Sequence, residues 1–471
     1  MSGHEFKDAY DVVVVGAGAA GLAAAAEIAR AGLDTLLVDE NAGPGGQIYR
    51  AITTTPVRKR EILGDEFWNG AALVDEVRSS GASVTQTATV WSLDADLMLG
   101  ISWGGRSRNV SARRVVVATG AMERPFPIPG WILPGVMTAG AVQTLLKSSG
   151  LLPAGRTVVA GTGPLLWLLS AQILRAGGAI DAILDTTPRG SLTRALPYAS
   201  GFLLSPLFAK GLALRSEVMR KVRVVRHVTE LVAAGGDKLE TVTFATRQGA
   251  KATLPADALL LHQGVVPNTM LAMAAGVAHR WDERQLCWSP VLDQDGRSSI
   301  EGIFVAGDGA GIAGALAAEL RGRLAGLAVV RDLRPGYESS ETQSIRQKLQ
   351  REERARPFLD VMFQPPREMR APADDTIVCR CEEVTAGEVR KAARLGCAGP
   401  NQLKAFLRTG MGPCQGRLCG LTLTELLAEA NGVAPGEVGH LRVRPPVKPI
   451  SLSELAEMPV SEAATKAVVR G

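Results

Sequence analysis

A chain of 471 residues has room for two or three domains with well-buried cores. Hydrophobic residues at 46% and charged residues at 21% describe an ordinary globular protein, and a net charge of +5 with no dense Lys/Arg block argues against nucleic acid as a partner. The polar start Met-Ser-Gly-His-Glu-Phe-Lys-Asp predicts no signal peptide, and Tyr198 to Leu214, interrupted by Pro206 and Lys210, is too short to span a bilayer, so an integral membrane protein is not expected. Six cysteines, four of them in one cluster, do not make a secreted disulfide framework, and the cytoplasm is the expected compartment.

In chain order, residues 11–39 read as strand, glycine turn, helix and strand: Asp-Val-Val-Val-Val-Gly-Ala-Gly-Ala-Ala-Gly, an alanine-rich helix, then Thr-Leu-Leu-Val-Asp. A β-rich stretch at 82–119 ends in Arg-Arg-Val-Val-Val-Ala-Thr-Gly. A second strand–glycine–helix unit opens at Arg156, and the apolar strand 258–261 precedes Gly264. The run Gly302-Ile-Phe-Val-Ala-Gly-Asp-Gly-Ala-Gly starts a last strand and turn before a long helix. This order predicts an α/β protein with two doubly wound dinucleotide-binding domains, a discontinuous one (1–123 and 298–335) interrupted by a second (124–297). One charged amphipathic helix at 341–363 and a proline-rich linker from Gln364 fill 336–374. A small helical module covers 375–440, and 441–471 is an extended tail with too few apolar residues for its own core, expected to lie along another surface.

Gly16-x-Gly18-Ala19-Ala20-Gly21 follows an apolar strand and opens a helix, the arrangement that lets backbone approach a pyrophosphate at a helix N-terminus. Asp39, ending the next strand, is placed for a ribose hydroxyl. Gly307-Asp308-Gly309 would set Asp308 against a ribityl chain, which argues for FAD over NAD. These pieces, with the Ala118-Thr119-Gly120 turn, resemble the flavoproteins built from two dinucleotide domains, which include thioredoxin-like and ferredoxin-type reductases.

The second site keeps Gly161 and Gly163 but has Leu166 at the third glycine position, and no arginine pair for a 2′-phosphate follows Asp185. A working NAD(P)H site, a scaffold, and a site for another nucleotide all remain open. The domain lacks a Cys-x-x-Cys dithiol, and Cys287, beside Trp288 with no cysteine partner, reads as a buried apolar residue.

Cys379 and Cys381 end a short strand, and Thr385-x-x-Glu388 forms a capping box that starts a helix running to about Leu395. A second short helix covers roughly 402–408, and Cys414 and Cys419 follow at the N-terminus of a third, where amides and the helix dipole favour sulfur anions. Arg380 and Arg417 stand beside the four and could offset their charge. An iron–sulfur cluster fits this spacing; zinc more often takes Cys-x-x-Cys pairs at both ends, and unconnected cysteines are the remaining alternative. Cys397 falls outside both pairs.

Cys-Arg-Cys-Glu-Glu-Val-Thr and Arg408-Thr-Gly-Met-Gly-Pro-Cys-Gln-Gly-Arg-Leu-Cys419 resemble the bacterioferritin-associated ferredoxin type of [2Fe–2S] domain, although four residues separate the second pair where the founding ferredoxins have two. Taken end to end, with Gly43-Pro-Gly-Gly46-Gln47-Ile-Tyr49, Ala121-Met-Glu-Arg-Pro-Phe-Pro-Ile-Pro-Gly130 and Arg444-Pro-Pro-Val-Lys-Pro-Ile-Ser, the chain resembles the α-type subunit of heteromeric flavin dehydrogenases. These are opine oxidases (octopine and nopaline), hydrogen cyanide synthase and dye-linked proline or hydroxyproline dehydrogenases. The resemblance implies FAD held with Glu40, Gly46 and Gln47 among its contacts, a [2Fe–2S] cluster on Cys379, Cys381, Cys414 and Cys419, and FMN at the subunit contact. It also implies a β-type catalytic flavin subunit related to D-amino-acid oxidases, a small third subunit, and an acceptor such as a membrane quinone with the complex peripheral to the inner membrane.

The residues fit that division of labour. Of the five histidines, His4, His227, His279 and His440 sit outside the glycine motifs without a paired acid nearby in sequence, and His262 is placed to approach FAD without a catalytic role. The expectation is an electron-transfer subunit of an amine, imino-acid or opine dehydrogenase. The rivals are a stand-alone NAD(P)H-dependent reductase and a non-catalytic sensor whose cluster only regulates binding.

Overall fold

A computed structural model describes residues 6–458; His4 and residues 459–471 of the expected tail lie outside them. β1 (Ala9–Val15), α1 (Ala19–Arg30) and β2 (Thr35–Val38) form the expected opening unit. Val12, Val13 and Val14 are wholly buried, the mark of a central parallel strand covered on both faces. With β3 (Ser83–Thr85), β4 (Thr89–Leu93), β5 (Met98–Trp103) and β6 (Arg106–Val117), the sheet order is β3-β2-β1-β6-β5-β4. Strand β5 runs antiparallel to both β4 and β6, so this sheet is mixed. The cause is local: Gly104 and Gly105, at φ +60° and +77°, close a two-residue hairpin that leaves no chain for a crossover helix.

The second unit contains β7 (Val136–Thr138), α2 (Ala139–Ser149), β8 (Thr157–Thr162), α3 (Pro164–Arg175), β9 (Ala182–Asp185), β10 (Arg223–Arg226) and β11 (Ala258–Gln263). Its sheet, ordered β10-β9-β8-β11-β7, is parallel throughout, and a three-stranded antiparallel sheet (228–255) is inserted before β11. The two chain crossings between units, Ala121–Glu123 and Val265–Pro267, pair with each other. The chain is back in the first unit well before residue 298. Leu271, Ala272, Ala275 and Val277 bury themselves in the first unit's core, so 268–297 packs there and not with 124–267, because these apolar residues join the cluster that holds Val13, Val115 and Val117, with the helix Met270–Ala274 against β4.

β12 (Ile303–Val305) pairs with β6, and α4 (Ala315–Leu333) then crosses α1. That crossing is close because small residues meet: a Cβ on Gly322 would lie 2.1 Å from Ala20 O, and one on Gly326 would lie 2.9 Å from Ala24 O. The expected single helix at 341–363 is two, Thr342–Glu353 and Arg356–Met362, since Pro357 cannot donate to a continuing helix. In the cysteine module, Thr385 and Glu388 complete the capping box of α5 (Ala386–Arg394), followed by α6 (Pro400–Leu407) and α7 (Gly420–Asn431). Val389, Leu403, Leu423 and Leu426 are its wholly buried centre.

The hairpin His279–Pro290 packs on this module through rings: His440 lies 5.8 Å from His279 and 5.2 Å from Trp288. Burial pushes the His279 pKa down to about 4, against the pull of the Val277 carbonyl oxygen 2.7 Å away.

Two outcomes follow from these contacts. Gly322→Ala forces α4 off α1 and is expected to cost about 1–3 kcal/mol, read as a lower melting temperature. The folded pKa of His279 lies below its unfolded value of about 6.5, so its contribution to stability is present above that pH and is lost as pH falls through 4. Stability should therefore fall across that interval, by about 3 kcal/mol at most from this group, read as a lower melting temperature, and His279→Phe should flatten the slope.

Candidate functional site

The first glycine turn is built by contacts that only glycine permits. A Cβ on Gly16 (φ +105°) would lie 2.5 Å from Ala118 O, one on Gly21 would lie 1.8 Å from Gly16 O, and one on Gly46 would lie 2.8 Å from the Gly18 Cα. Gly307 is held as tightly, its Cβ position 2.6 Å from the Ala20 Cβ. The turn after β1, the loop 43–49, the end of β6 and the turn after β12 thus converge on the N-terminus of α1. Asp39 is buried and first braces the turn: its Oδ2 accepts from Ala17 N at 2.6 Å and its Oδ1 from Asn41 N at 2.7 Å. Asp308 Oδ1 accepts from Ala313 N at 2.9 Å and Gly314 N at 3.1 Å, holding the entry to α4. Carboxylate oxygens accept more than one hydrogen bond, so both acids keep capacity for a ligand.

These elements enclose one cavity of about 1430 Å³, larger than a drug-sized pocket and ample for a dinucleotide. Thirteen of the fourteen residues expected at the flavin line it: Gly16, Gly18, Ala19, Ala20, Asp39, Glu40, Gly46, Gln47, Ala118, Thr119, Gly120, Gly307 and Asp308. Gly21 does not; it sits beneath, where helix and strand touch.

Sequence reasoning missed Lys147 and Glu123 on the cavity wall, where His262 was expected. Lys147, on α2 and 4% exposed, donates to Gln47 O (3.1 Å), Ile48 O (2.8 Å) and Gln143 Oε1 (3.2 Å), tying the flavin-side loop to the second unit. Burial pushes its pKa down to about 7. His262 is 1% exposed and its Nδ1 lies 2.6 Å from Glu123 Oε1, while Glu123 Oε2 accepts from Gly140 N at 2.7 Å. The nearest acid in sequence, Asp257, pairs with Arg156, and it is the pairing of the two chain crossings that brings Glu123 to His262. Glu123 had a signal, its place three residues after the Gly120 turn; Lys147 had none.

The second glycine turn opens into the same cavity through Gly163, Pro164 and Leu165. A Cβ on Gly163 would lie 3.2 Å from His262 Nε2, and Leu166 is buried against Val159 and Leu260. Cys287 is buried, and desolvation pushes its thiol up to about 12, so it is an inert apolar residue.

In the module the four cysteine sulfurs meet, Cys419 next to both Cys379 and Cys414, and Cys414 next to Cys381. A Cβ on Gly412 would lie 2.3 Å from the Cys381 Cβ, so glycine is required for the loop to close over that cysteine. The Cys419 thiol pulls Cys379 down to about 6 and Cys414 to about 5, helped by the amides of Gly410 and Glu382 on the first and of Leu418 and Gly416 on the second. Cys419 is pushed well up by those same two sulfurs, and Cys381 is raised by burial. Cys397 is buried apart, its Sγ 3.5 Å from Gly399 O. Of the two arginines beside the cysteines, Arg380 stacks on Trp131 at 5.3 Å, and Arg417 Nη2 donates to Val447 O at 3.0 Å. Among the described residues no three His, Cys, Asp or Glu side chains are grouped as the ligands of one ion. Sulfurs neighbouring in pairs and met by backbone amides fit a centre of two irons, and the glycine-bounded cavity fits FAD.

Residues 10–324 match the pyridine nucleotide-disulphide oxidoreductase family, and residues 377–429 match the BFD-like [2Fe-2S] binding domain. An opine oxidase subunit of Agrobacterium tumefaciens (strain Ach5) is 46% identical over 98% of this chain and 95% of its own length. Hydrogen cyanide synthase subunit HcnB of Pseudomonas aeruginosa is 32% identical over 94% of this chain and 97% of its own length. The solved L-proline dehydrogenase from P. horikoshii superposes with a TM-score of 0.72 over 96% of this chain and 81% of that one, at 20% identity, a likeness of fold. The chain therefore belongs to the pyridine nucleotide-disulphide oxidoreductase family, as an FAD and [2Fe–2S] type subunit of the heteromeric flavin oxidoreductases that include opine oxidase and hydrogen cyanide synthase.

Proposed function

We propose that this chain is the electron-relay subunit of an amine, imino-acid or opine dehydrogenase, taking electrons from a partner flavin subunit related to D-amino-acid oxidases and passing them to an external acceptor. One observation carries this reading: Arg417, between Cys414 and Cys419, lines the same cavity as Gly16 and Gly18. FAD accepts electrons in pairs and an iron–sulfur centre passes them singly. Gly16, Gly18, Ala19, Ala20, Gly21, Asp39, Glu40, Gly46, Gln47, Ala118, Thr119, Gly120, Gly307 and Asp308 would hold the FAD, and Cys379, Cys381, Cys414 and Cys419 the cluster. Lys147 holds the Gln47–Ile48 carbonyls in place, and the His262–Glu123 pair fixes the N-terminus of α2 at the cavity wall. FMN at the subunit contact, a small third subunit and a quinone acceptor reached at the membrane belong to the same reading.

A second reading, direct reduction by NAD(P)H, has one observation in its favour, the opening of the second glycine turn into this cavity.

Anaerobic mixing with NADH separates the two: the relay predicts no rapid bleaching of the flavin, and rapid bleaching rejects it. The isolated chain should not oxidise proline or an opine, while the complex purified with its partner should oxidise its substrate. Cys414→Ser should cut iron to background with flavin retained; substrate-driven flavin reduction then persists and delivery to the acceptor is lost. Lys147→Met leaves the Gln47 and Ile48 carbonyls without this donor, at about 1–3 kcal/mol, and should release flavin at lower temperature.

A further inference from the structure

We propose that three consecutive helices, Ser191–Ala195, Ala199–Leu203 and Pro206–Met219, form a face that docks on an anionic lipid surface. Its use depends on the relay reading above; the binding is read from the surface itself.

The inner side of these helices is already satisfied. Ala195 is buried, and the Phe202 ring stacks on Phe358 at 4.4 Å. The outer side is apolar as well: Leu192, Leu196, Leu203, Leu207 and Leu212 are exposed, and Leu204, between the last two helices, is 90% exposed. Of the fourteen residues of Pro206–Met219 only Val218 is buried. A helix rich in apolar residues with so little of its surface covered has a missing contact.

Charge selects what makes that contact. Residues 189–226 hold eight Lys and Arg and one Glu, in a chain of net charge +5, so the remainder is slightly acidic. The single acid of this segment, Glu217, is held by Arg175, and the neighbouring Glu66 is held by Lys210, which leaves the other cations in excess. Arg189, Arg194, Arg220, Lys221, Arg223 and Arg226 are exposed. A field of one sign repels a second copy of the same face. Uncharged polar groups, which give protein interfaces roughly one hydrogen bond per 100–200 Å², are few here: Thr193, Tyr198, Ser200 and Ser216. Protruding leucines collared by cations are instead the chemistry of an interfacial anchor on anionic lipid. No helix among the described residues is long and apolar enough to cross a membrane, so the contact stays at the interface. Pro206, Leu207, Lys210 and Leu214 also line the cavity that holds the glycine turn, so a bilayer on this face meets the cavity's edge and gives a lipid-soluble acceptor a way in.

The test is flotation of the native complex, purified through a tag on this chain, with phosphatidylcholine vesicles and with vesicles containing phosphatidylglycerol. Flotation with the anionic vesicles only, reversed by salt, is expected. Leu203→Ser/Leu204→Ser should abolish it with flavin and iron content unchanged, and Arg220→Glu/Lys221→Glu should weaken it roughly fivefold or more per cation removed. Failure to float with anionic vesicles overturns the proposal. So does protection of the amides of 191–219 from hydrogen exchange by the partner subunit in the vesicle-free complex, which makes the face a subunit interface. Electron delivery to a soluble dye, measured without vesicles, reads the relay separately: intact delivery with no flotation rejects the docking alone, and lost delivery with flotation intact rejects the relay alone.

Discussion

The tail, residues 441–448, sets how far the cysteine loop stands from the glycine cradle. Leu441 fills a hollow in the module where Cβ atoms on Gly416, Gly410 and Gly420 would lie 2.6, 2.9 and 3.1 Å from its side chain. Two residues later Val443, and then Val447, enter the core of the first unit. Val447 N donates to Trp91 O at 2.8 Å, Val447 O accepts from Arg417, and Lys448 meets Glu40 at 2.6 Å. A segment without regular structure therefore belongs to two cores at once. Each buried aliphatic side chain contributes about 1.5–3 kcal/mol, enough to fix the loop of Cys414 and Cys419 against the cavity wall. Electron transfer falls steeply with distance, so a relay needs this strap more than it needs any single ligand contact.

A second set of contacts holds the module from the other side. Trp131 Nε1 donates to Ile377 O at 2.7 Å, just before Cys379, and Arg370 pairs with the buried Glu425. A buried ion pair is weak support for stability, since desolvation offsets most of its attraction, but breaking it leaves a bare charge and so it fixes register. The tail and this pair make the placement of the cysteines over-determined, which suits a centre that must not wander.

The local devices were legible because each is written in consecutive residues: the glycine turns, the capping box at Thr385, the alternation of apolar strands with helices. What needed the fold was of two kinds. Some had a local signal whose weight only the fold made plain, such as the Gly104-Gly105 hairpin that turns β5 antiparallel, or Pro357, which splits one expected helix into two. Others joined residues far apart in sequence. His262 and Glu123 meet only because the two crossings between units pair, and Lys147 reaches Gln47 across a domain boundary. The boundary at 297 was misplaced for the same reason: Leu271 to Val277 are apolar residues whose partners lie more than 150 positions upstream in β6 and earlier. The site's walls were legible as motifs, and its cross-braces were not.

The glycines of the second turn show why such spacing can mislead. Gly161 has φ +140°, and a Cβ there would lie 1.6 Å from His262 O on the adjacent strand, so sheet packing alone demands glycine. Gly163, at φ +118°, is the N-cap from which α3 departs, and backbone geometry alone demands it too. Neither requires a nucleotide. Leu166, where a third glycine would let α3 lie against β8, is committed to the core of the second unit. What this turn retains is a rigid wall for a shared cavity, with His262 braced against Gly163 on one side and Glu123 on the other. On the electron-relay reading proposed above, such a wall leaves the source of electrons to another chain.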